Sequence, residues 1–551
     1  MKKEKLLLAS RILAIPAGIL FGICAEKIAH LTGAGPLLLG ACLLAAMSAA
    51  LIWKQKNRVR RQRDDTRDYT PWATSSQIEA TGLLADEKNA GGVLLGASHG
   101  GGRSIQHLCS KAAEHILVVG RERSGKSVGI VIPTLLSWDQ SVLVYDIAGE
   151  SWELTSGFRE RVLGQRCIRF APSQEGSARF NPLDAIRMDQ NLVNDVQNIV
   201  AMIVDPDGKD IHDHWFHTSF NLLAGSILYV LLEEKIRQKS LESVGDLLVG
   251  LGDLRQTIAD EAGNGNTSRA AMSYMVRAAN EKLKKNDFPD TPCGQAERDG
   301  WKLVAQTVGG TKGKESTEYS AVLSMSLRLL RPYCEDSIIA QNTATSDFSI
   351  DDLMGGGFNE NGQPRGPKVS LYIVAPPHDK DRIRPLTRLI LHMTLRRLTE
   401  GNPDSASKSG HPHRLLFLID DFPSLGKLNV LEQALALTAD YGFKALLTAQ
   451  SLAQLQEAYG KDSLIIPYCN IRLRLSKDEI IDWFFTGENT AGYELLVPDA
   501  YISLPPDDEL VFMAGHSPIH CQKIKYYADP QLKECAQMGA ATSNEHNPNP
   551  P

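Results

Sequence analysis

Gly120-Arg121-Glu122-Arg123-Ser124-Gly125-Lys126-Ser127 matches the phosphate-loop pattern G-x-x-x-x-G-K-[ST] at every fixed position. The apolar run Ile116-Leu-Val-Val119 before it reads as a buried strand and Val128 to Leu136 after it as a helix, the context such a loop requires. Glycines at 120 and 125 let successive backbone N–H groups turn toward a phosphate chain, and the helix N-terminus adds its positive end. All eight residues are therefore candidate nucleotide-binding residues. Lys126 is placed to reach the β and γ phosphates, and Ser127 to offer its hydroxyl to Mg2+.

The rest of the chain is read outward from this loop. With 551 residues, 43% hydrophobic and 23% charged, the composition is that of a folded protein of two or three domains and excludes a disordered one. A net charge of -6 excludes a protein that coats nucleic acid through bulk charge and leaves local basic patches open. The nine cysteines are scattered without a C-x-x-C pair, which fits a reducing compartment better than a disulfide framework or a zinc site.

Residues 1–63 read as a membrane anchor with spans at about 6–25 and 31–53. Arg11 interrupts the first span near its lysine-rich end, where it can snorkel. A second reading makes this first run a signal peptide cleaved near Gly22-Ile-Cys-Ala25. Lys54, Lys56, Arg58, Arg60, Arg61 and Arg63 follow the second span and place the remainder on the cytoplasmic side. Residues 64–90 read as a polar linker, 91–205 as the first part of a nucleotide-binding domain, 206–320 as an inserted all-α domain, 321–527 as its second part, and 528–551 as a disordered tail. The fold class is α/β, with a parallel-rich sheet. Lys523-Ile-Lys-Tyr-Tyr527 is taken as the last strand, and Gly309-Gly-Thr-Lys-Gly313-Lys314-Glu315 as a flexible loop that imitates a phosphate loop without its spacing. His212, His214 and His217 lack an acid or cysteine at ligand spacing and are read as polar helix positions.

A second constellation lies downstream. Leu415-Leu-Phe-Leu-Ile-Asp420-Asp421 is an apolar strand ending in two carboxylates, the Walker B arrangement: Asp420 would hold Mg2+ through water, and Asp421 would act on the attacking water as general base. Phe443 to Ala449 is a further strand ending in Gln450, whose amide can accept from water and donate to a phosphate oxygen. Lys126, Asp421 and Gln450 are thus the candidate catalytic residues, with Ser127 and Asp420 as metal ligands. Asp146 ends another strand and either faces the nucleotide or caps a turn. Arg277, Lys282, Lys284 and Lys285 form a basic cluster in the helical stretch, read either as a solvated face or as a DNA-phosphate contact.

These segments, together with Ile132-Pro-Thr-Leu-Leu136, Asp146-Ile-Ala-Gly-Glu150, Asn181-Pro-Leu183, Asp205-Pro-Asp-Gly-Lys209, Ile419-Asp-Asp-Phe-Pro-Ser-Leu-Gly-Lys-Leu428 and Ala514-Gly-His-Ser-Pro-Ile519, resemble the type IV secretion coupling proteins of the TraG/TraD family. The resemblance covers Leu6 to Tyr527. It implies a RecA-like ATP-binding domain using Mg2+, two N-terminal transmembrane helices in a bacterial inner membrane, and a homohexameric ring. It also implies partners: secretion channel components, and a relaxase with single-stranded DNA or a protein cargo. The function implied is an ATPase that recruits such substrates and drives them to the channel. Two other readings are an ATP-binding receptor with little motor activity and a DNA pump of the chromosome-segregation type. Three departures stand out: Asp421 replaces the usual glutamate, Ala148 replaces a usual lysine, and no arginine lies between 422 and 449. Arg472 or Arg474 is then the candidate trans-acting arginine.

Overall fold

The structure, a computed structural model, describes residues 72–85, 91–99, 105–206, 214–263, 265–400, 411–437, 441–476 and 504–541. The two expected membrane spans and the basic run after them lie outside these residues. Eleven strands build one sheet: β1 (Val93–His99), β2 (Ile105–Ser110), β3 (Ile116–Val119), β4 (Ser141–Ile147), β5 (Arg166–Phe170), β6 (Val369–Ala375), β7 (Leu415–Ile419), β8 (Phe443–Ala449), β9 (Ile471–Arg474), β10 (Asp508–Met513) and β11 (Ile519–Gln522). Their order across the sheet is β2-β1-β11-β10-β9-β3-β8-β7-β4-β6-β5. From β9 through β5 neighbours run parallel; from β9 to β2 they run antiparallel. Every residue of β3, β6, β7 and β8 is buried. That is why β3 and β7 read as unbroken apolar runs and why β6 and β8 are interrupted only by Ser370 and by Lys444 and Thr448: a parallel sheet covered on both faces has no wet side to alternate with.

Alternation still decides which layer each side chain meets. Ile116 and Val118 face a layer holding α1 (Ser75–Ala80), α2 (Ile132–Leu135, entered through a π-type turn at Ser127–Val131) and α3 (Glu150–Arg161). Leu117 and Val119 face the other layer. There, every regular helix between β5 and β6 contributes: α4 (Leu192–Val204), α5 (His214–Leu232), α6 (Leu241–Val249), α7 (Arg255–Ala262), α8 (Thr267–Lys285), α9 (Pro292–Lys312), α10 (Ser316–Cys334) and α11 (Ser337–Asn342). They are joined by α12 (Lys380–Leu398), α13 (Asn429–Leu437), α14 (Leu452–Tyr459) and α15 (Ile465–Tyr468). The helical run is thus wider than 206–320 and shares one continuous core with the sheet. Helix α5 is long and apolar enough to cross a membrane, but Leu222 to Val230 are buried in this layer, so its apolar length is that of a core helix.

Several expectations are corrected. Part of the segment taken as a linker is structured: Thr74 and Gln77 form a reciprocal capping box at the start of α1, and Ile78 and Leu83 are buried under the sheet. Part of the expected disordered tail is α16 (Pro530–Ala536), capped by Asp529, with Leu532 and Ala536 packed beside Phe158 of α3. Gly309 to Lys312 form the last turn of α9, not a loop, because the apolar periodicity of Trp301, Val304 and Val308 carries the helix through both glycines. The last strand is Ile519–Gln522 and not 523–527: the hairpin register Val511↔Ile519 and Asp508↔Gln522 ends pairing there, and Lys523 onward leaves the sheet to run beside the phosphate-loop helix.

Candidate nucleotide site

The phosphate loop leaves the sheet at Val119, between β8 and β9, with Val119 level with Ala449 on one side and Arg474 on the other. The loop is close-wound. A Cβ at Gly120 would lie 2.4 Å from Ser124 Oγ and 2.9 Å from Leu475 Cβ, and Gly125 has φ +98, so both positions demand glycine. Arg123 also adopts a left-handed conformation (φ 61). The Lys126 ammonium donates to the carbonyls of Gly120 and, at 3.1 Å, Arg121. Ser124 Oγ is buried without a hydrogen-bond partner among the described residues. The side chains of Arg121, Glu122 and Arg123 are exposed, so these residues line the loop through their backbone. Ser127 opens the helix. Beside the loop runs Lys523, whose ammonium donates to the carbonyls of Leu475 (2.8 Å) and Pro506 (2.7 Å).

The acids arrive from β7, with β8 lying between it and β3, so residues at the C-terminal end of β8 stand between Lys126 and the acids. Thr448 Oγ1 donates to Asp420 Oδ1 at 2.5 Å and accepts from the Asp421 N–H at 2.9 Å, tying both acids to β8. Burial raises the Asp420 carboxyl above the usual range, while the charge of Lys126 pulls it the other way. Asp421 sits in a left-handed turn (φ 49). Its Oδ2 accepts from Gln450 Nε2 at 3.2 Å and its Oδ1 from Gln454 Nε2 at 3.0 Å, with Lys380 Nζ 3.9 Å from Oδ2. Lys126, Asp420, Asp421 and Gln450 are thereby gathered at the C-terminal edge of neighbouring strands, where parallel α/β sheets place their chemistry.

The donor set fits Mg2+. A serine hydroxyl and a carboxylate are hard oxygen ligands, and Mg2+ keeps several waters, so it needs few protein ligands. Among the described residues no group of three or more His, Cys, Asp or Glu side chains gathers as a metal cage. Asp146 is settled as a cap: its oxygens accept from the N–H groups of Ser151 (3.3 Å) and Trp152 (2.8 Å) at the start of α3. Burial lifts its carboxyl to about 6 despite those bonds. Arg472 and Arg474 are buried side chains on β9, so neither is placed to act as an arginine on a neighbouring copy. His214 pairs with Glu318 at 2.7 Å, and His212 lies outside the described residues.

Sequence reading missed Thr448, Gln454 and Lys380. Thr448 and Gln454 carry a signal, standing two residues before and four after Gln450, which puts the threonine on the same strand face and the second glutamine one helical turn along. Lys380 comes from the segment after β6, and nothing in its neighbourhood of sequence ties it to Asp421.

The model of the family described as Type IV secretory system Conjugative DNA transfer matches residues 71–464 and 486–548, a span that holds the loop, both acids and Gln450. The chain belongs to this family. Among its relatives, the conjugal transfer protein TraG of Escherichia coli is 34% identical to this conjugative DNA-transfer protein over 539 residues, covering 85% of this chain and 78% of TraG. VirD4 of Rhizobium radiobacter is 26% identical over 532 residues, covering 90% of this chain and 68% of VirD4. The plasmid coupling protein TrwB, solved in complex with the non-hydrolysable ATP analogue ADPNP, is similar with a TM-score of 0.53 and 16% identity, over 82% of this chain and 93% of that one. At that identity the likeness shows the fold alone: this transfer protein has a TrwB-like α/β fold with a large mixed sheet.

Proposed function

We propose that this coupling protein is an ATPase, anchored in a bacterial inner membrane by two N-terminal spans and acting as a homohexamer. Its hydrolysis drives relaxase-bound single-stranded DNA, or protein cargo, into a type IV secretion channel. The observation that carries the ATPase reading is the junction of Lys126, the Asp420–Thr448–Asp421 link and Gln450 at one sheet edge. TrwB, of the same fold, is described with an ATP analogue, which supports ATP as the nucleotide.

Each residue has a defined part. Loop N–H groups from Gly120 to Lys126 would cradle the phosphates, and Lys126 would exchange its bonds to the loop carbonyls for phosphate oxygens. Ser127 and Asp420 would hold Mg2+, which when bound neutralises charge on the β and γ oxygens. Asp421 would take the proton of the attacking water. A carboxylate has about four lone-pair sites, and the two glutamines occupy one on each oxygen, so acceptor capacity remains. Gln450, bonded to Asp421, would orient the water. A second reading, an ATP-dependent substrate receptor with little turnover, is favoured by the aspartate at 421, which is one methylene shorter than glutamate.

The test is ATP turnover by the purified full-length protein and by Lys126→Ala. The expected result is Mg2+-dependent hydrolysis that the substitution abolishes while the melting temperature is unchanged, since Lys126 supports no apolar face. Equal turnover by both proteins would contradict the ATPase reading.

A further inference from the structure

Gln454 holds the candidate base in two directions at once. Its Nε2 donates to Asp421 Oδ1 at 3.0 Å, and its Oε1 accepts from the backbone N–H of Gln450 at 3.1 Å. The side chain therefore bridges the proposed general base and Gln450, the residue proposed to orient the water. Its own position is fixed, because Ser451, the N-cap of α14, accepts from the Gln454 N–H at 3.1 Å. On the far side of the carboxylate, Gln450 Nε2 and Lys380 Nζ meet Oδ2, so among the side chains of the described residues Oδ1 depends on Gln454 alone. A short aspartate in a left-handed turn has little reach of its own; what directs its carboxylate is the pair of amides.

We infer that Gln454 is a positioning residue for the hydrolytic step, aiming the Asp421 carboxylate and coupling it to the Gln450 backbone. The inference rests on the ATPase reading above. No bond is made or broken by Gln454 itself: it donates one hydrogen bond and accepts another, while the proton of the attacking water goes to Asp421. In general, misplacing a reacting group by about 1 Å can lower a rate about 100-fold.

The deciding variant is Gln454→Glu. It has the same shape, keeps the acceptor for the Gln450 N–H and suits the first turn of a helix, but it replaces the donor to Asp421 with a like charge. Expected at pH 8 is a kcat lowered about 100-fold with KM unchanged. The introduced carboxyl, near 4.3 when free and pushed up by the adjacent Asp421, regains a donor proton on acidification, so activity relative to wild type recovers as pH falls. Gln454→Ala, which has no such proton, loses kcat without this recovery. In an Asp421→Asn background, Gln454→Ala adds no further loss, because the group it positions is already gone.

Turnover of the full-length wild type, Gln454→Glu and Gln454→Ala is measured from pH 5.5 to 8 together with Lys126→Ala. If wild type shows no Lys126-dependent turnover, the ATPase reading falls and this inference falls with it. If wild type turns over and Gln454→Glu either matches it at every pH or is lowered by the same factor at every pH, the positioning role alone is overturned.

Discussion

Two adjacent carboxylates are held by different partners, and the roles proposed for them differ accordingly. Asp420 is fixed by Thr448 and lies within the field of Lys126, whereas Asp421 is met by two glutamine amides and Lys380. Asp421→Asn is therefore expected to keep nucleotide binding and lose hydrolysis by about 100-fold or more, since an amide cannot take a proton from water. Asp420→Asn is expected to weaken Mg2+-dependent nucleotide binding as well, and calorimetric titration of both variants with and without Mg2+ separates the two outcomes. A third acid makes a stability prediction. Glu509 is fully buried, neither oxygen has a hydrogen-bond partner among the described residues, and burial holds its carboxyl well above the usual range. A group whose folded value is raised contributes full stability below its unfolded value and loses it as pH climbs toward the folded one. The advantage of Glu509→Gln over wild type should therefore grow above pH 4 to 5 by up to about 1.4 kcal/mol per pH unit until the folded value is passed. Asp146, raised to about 6, titrates alike in both proteins and cancels. Denaturant melts from pH 5 to 8 check this, and parallel stability curves would contradict it.

At the scale of elements, helix α12 ties the acid end of the site to the helical layer. Lys380 at its start reaches Asp421, and Arg388, two turns on, is buried and donates to the carbonyls of Leu425, Lys427 (2.7 Å) and Pro206. Leu425 and Lys427 follow the acids, and Pro206 follows α4. Arg388→Met leaves buried carbonyls without a donor, and thermal melts should show a loss of at least about 2 kcal/mol. The lysines at the end of α8 make a different prediction. Arg277 is engaged with Glu261 and Tyr274, so the basic face reduces to three lysines: Lys282, half-buried with its ammonium 6.0 Å from the centre of the Trp301 ring, and the exposed Lys284 and Lys285. If these meet DNA phosphates, replacing all three with Gln lowers single-strand affinity regardless of sequence and flattens its salt dependence; an unchanged slope returns them to favourable cations at a helix C-terminus. Elements that are buried on both faces, such as β3 and β7, were legible in the sequence because burial leaves only apolar residues. Helices α1 and α16 were not, since each docks through one or two side chains, Ile78 in one and Leu532 with Ala536 in the other, too few to show a period in a polar stretch. The site was legible where a motif has fixed spacing, as at Gly120 to Ser127, and illegible where partners meet only through topology, as with Lys380 and Asp421.

For the whole molecule, strands drawn from residues 93–170 and 369–522 interleave in one sheet, and every helix between 170 and 369 packs on one face of it. Movement of the acids relative to the phosphate loop would therefore be felt in the helical layer through β8, α12 and their bonds. Under the proposed ATPase reading, this is the route by which hydrolysis would act on cargo, and it separates a motor from a receptor that only binds nucleotide. The most direct measurement is conjugative transfer from a donor whose native copy is replaced by the Asp421→Asn variant, with ATP binding and absence of hydrolysis checked on the same purified protein. The account expects transfer to be lost while the variant still binds ATP and is present at the wild-type level. Transfer at the wild-type frequency by a protein that binds but does not hydrolyse ATP would contradict it.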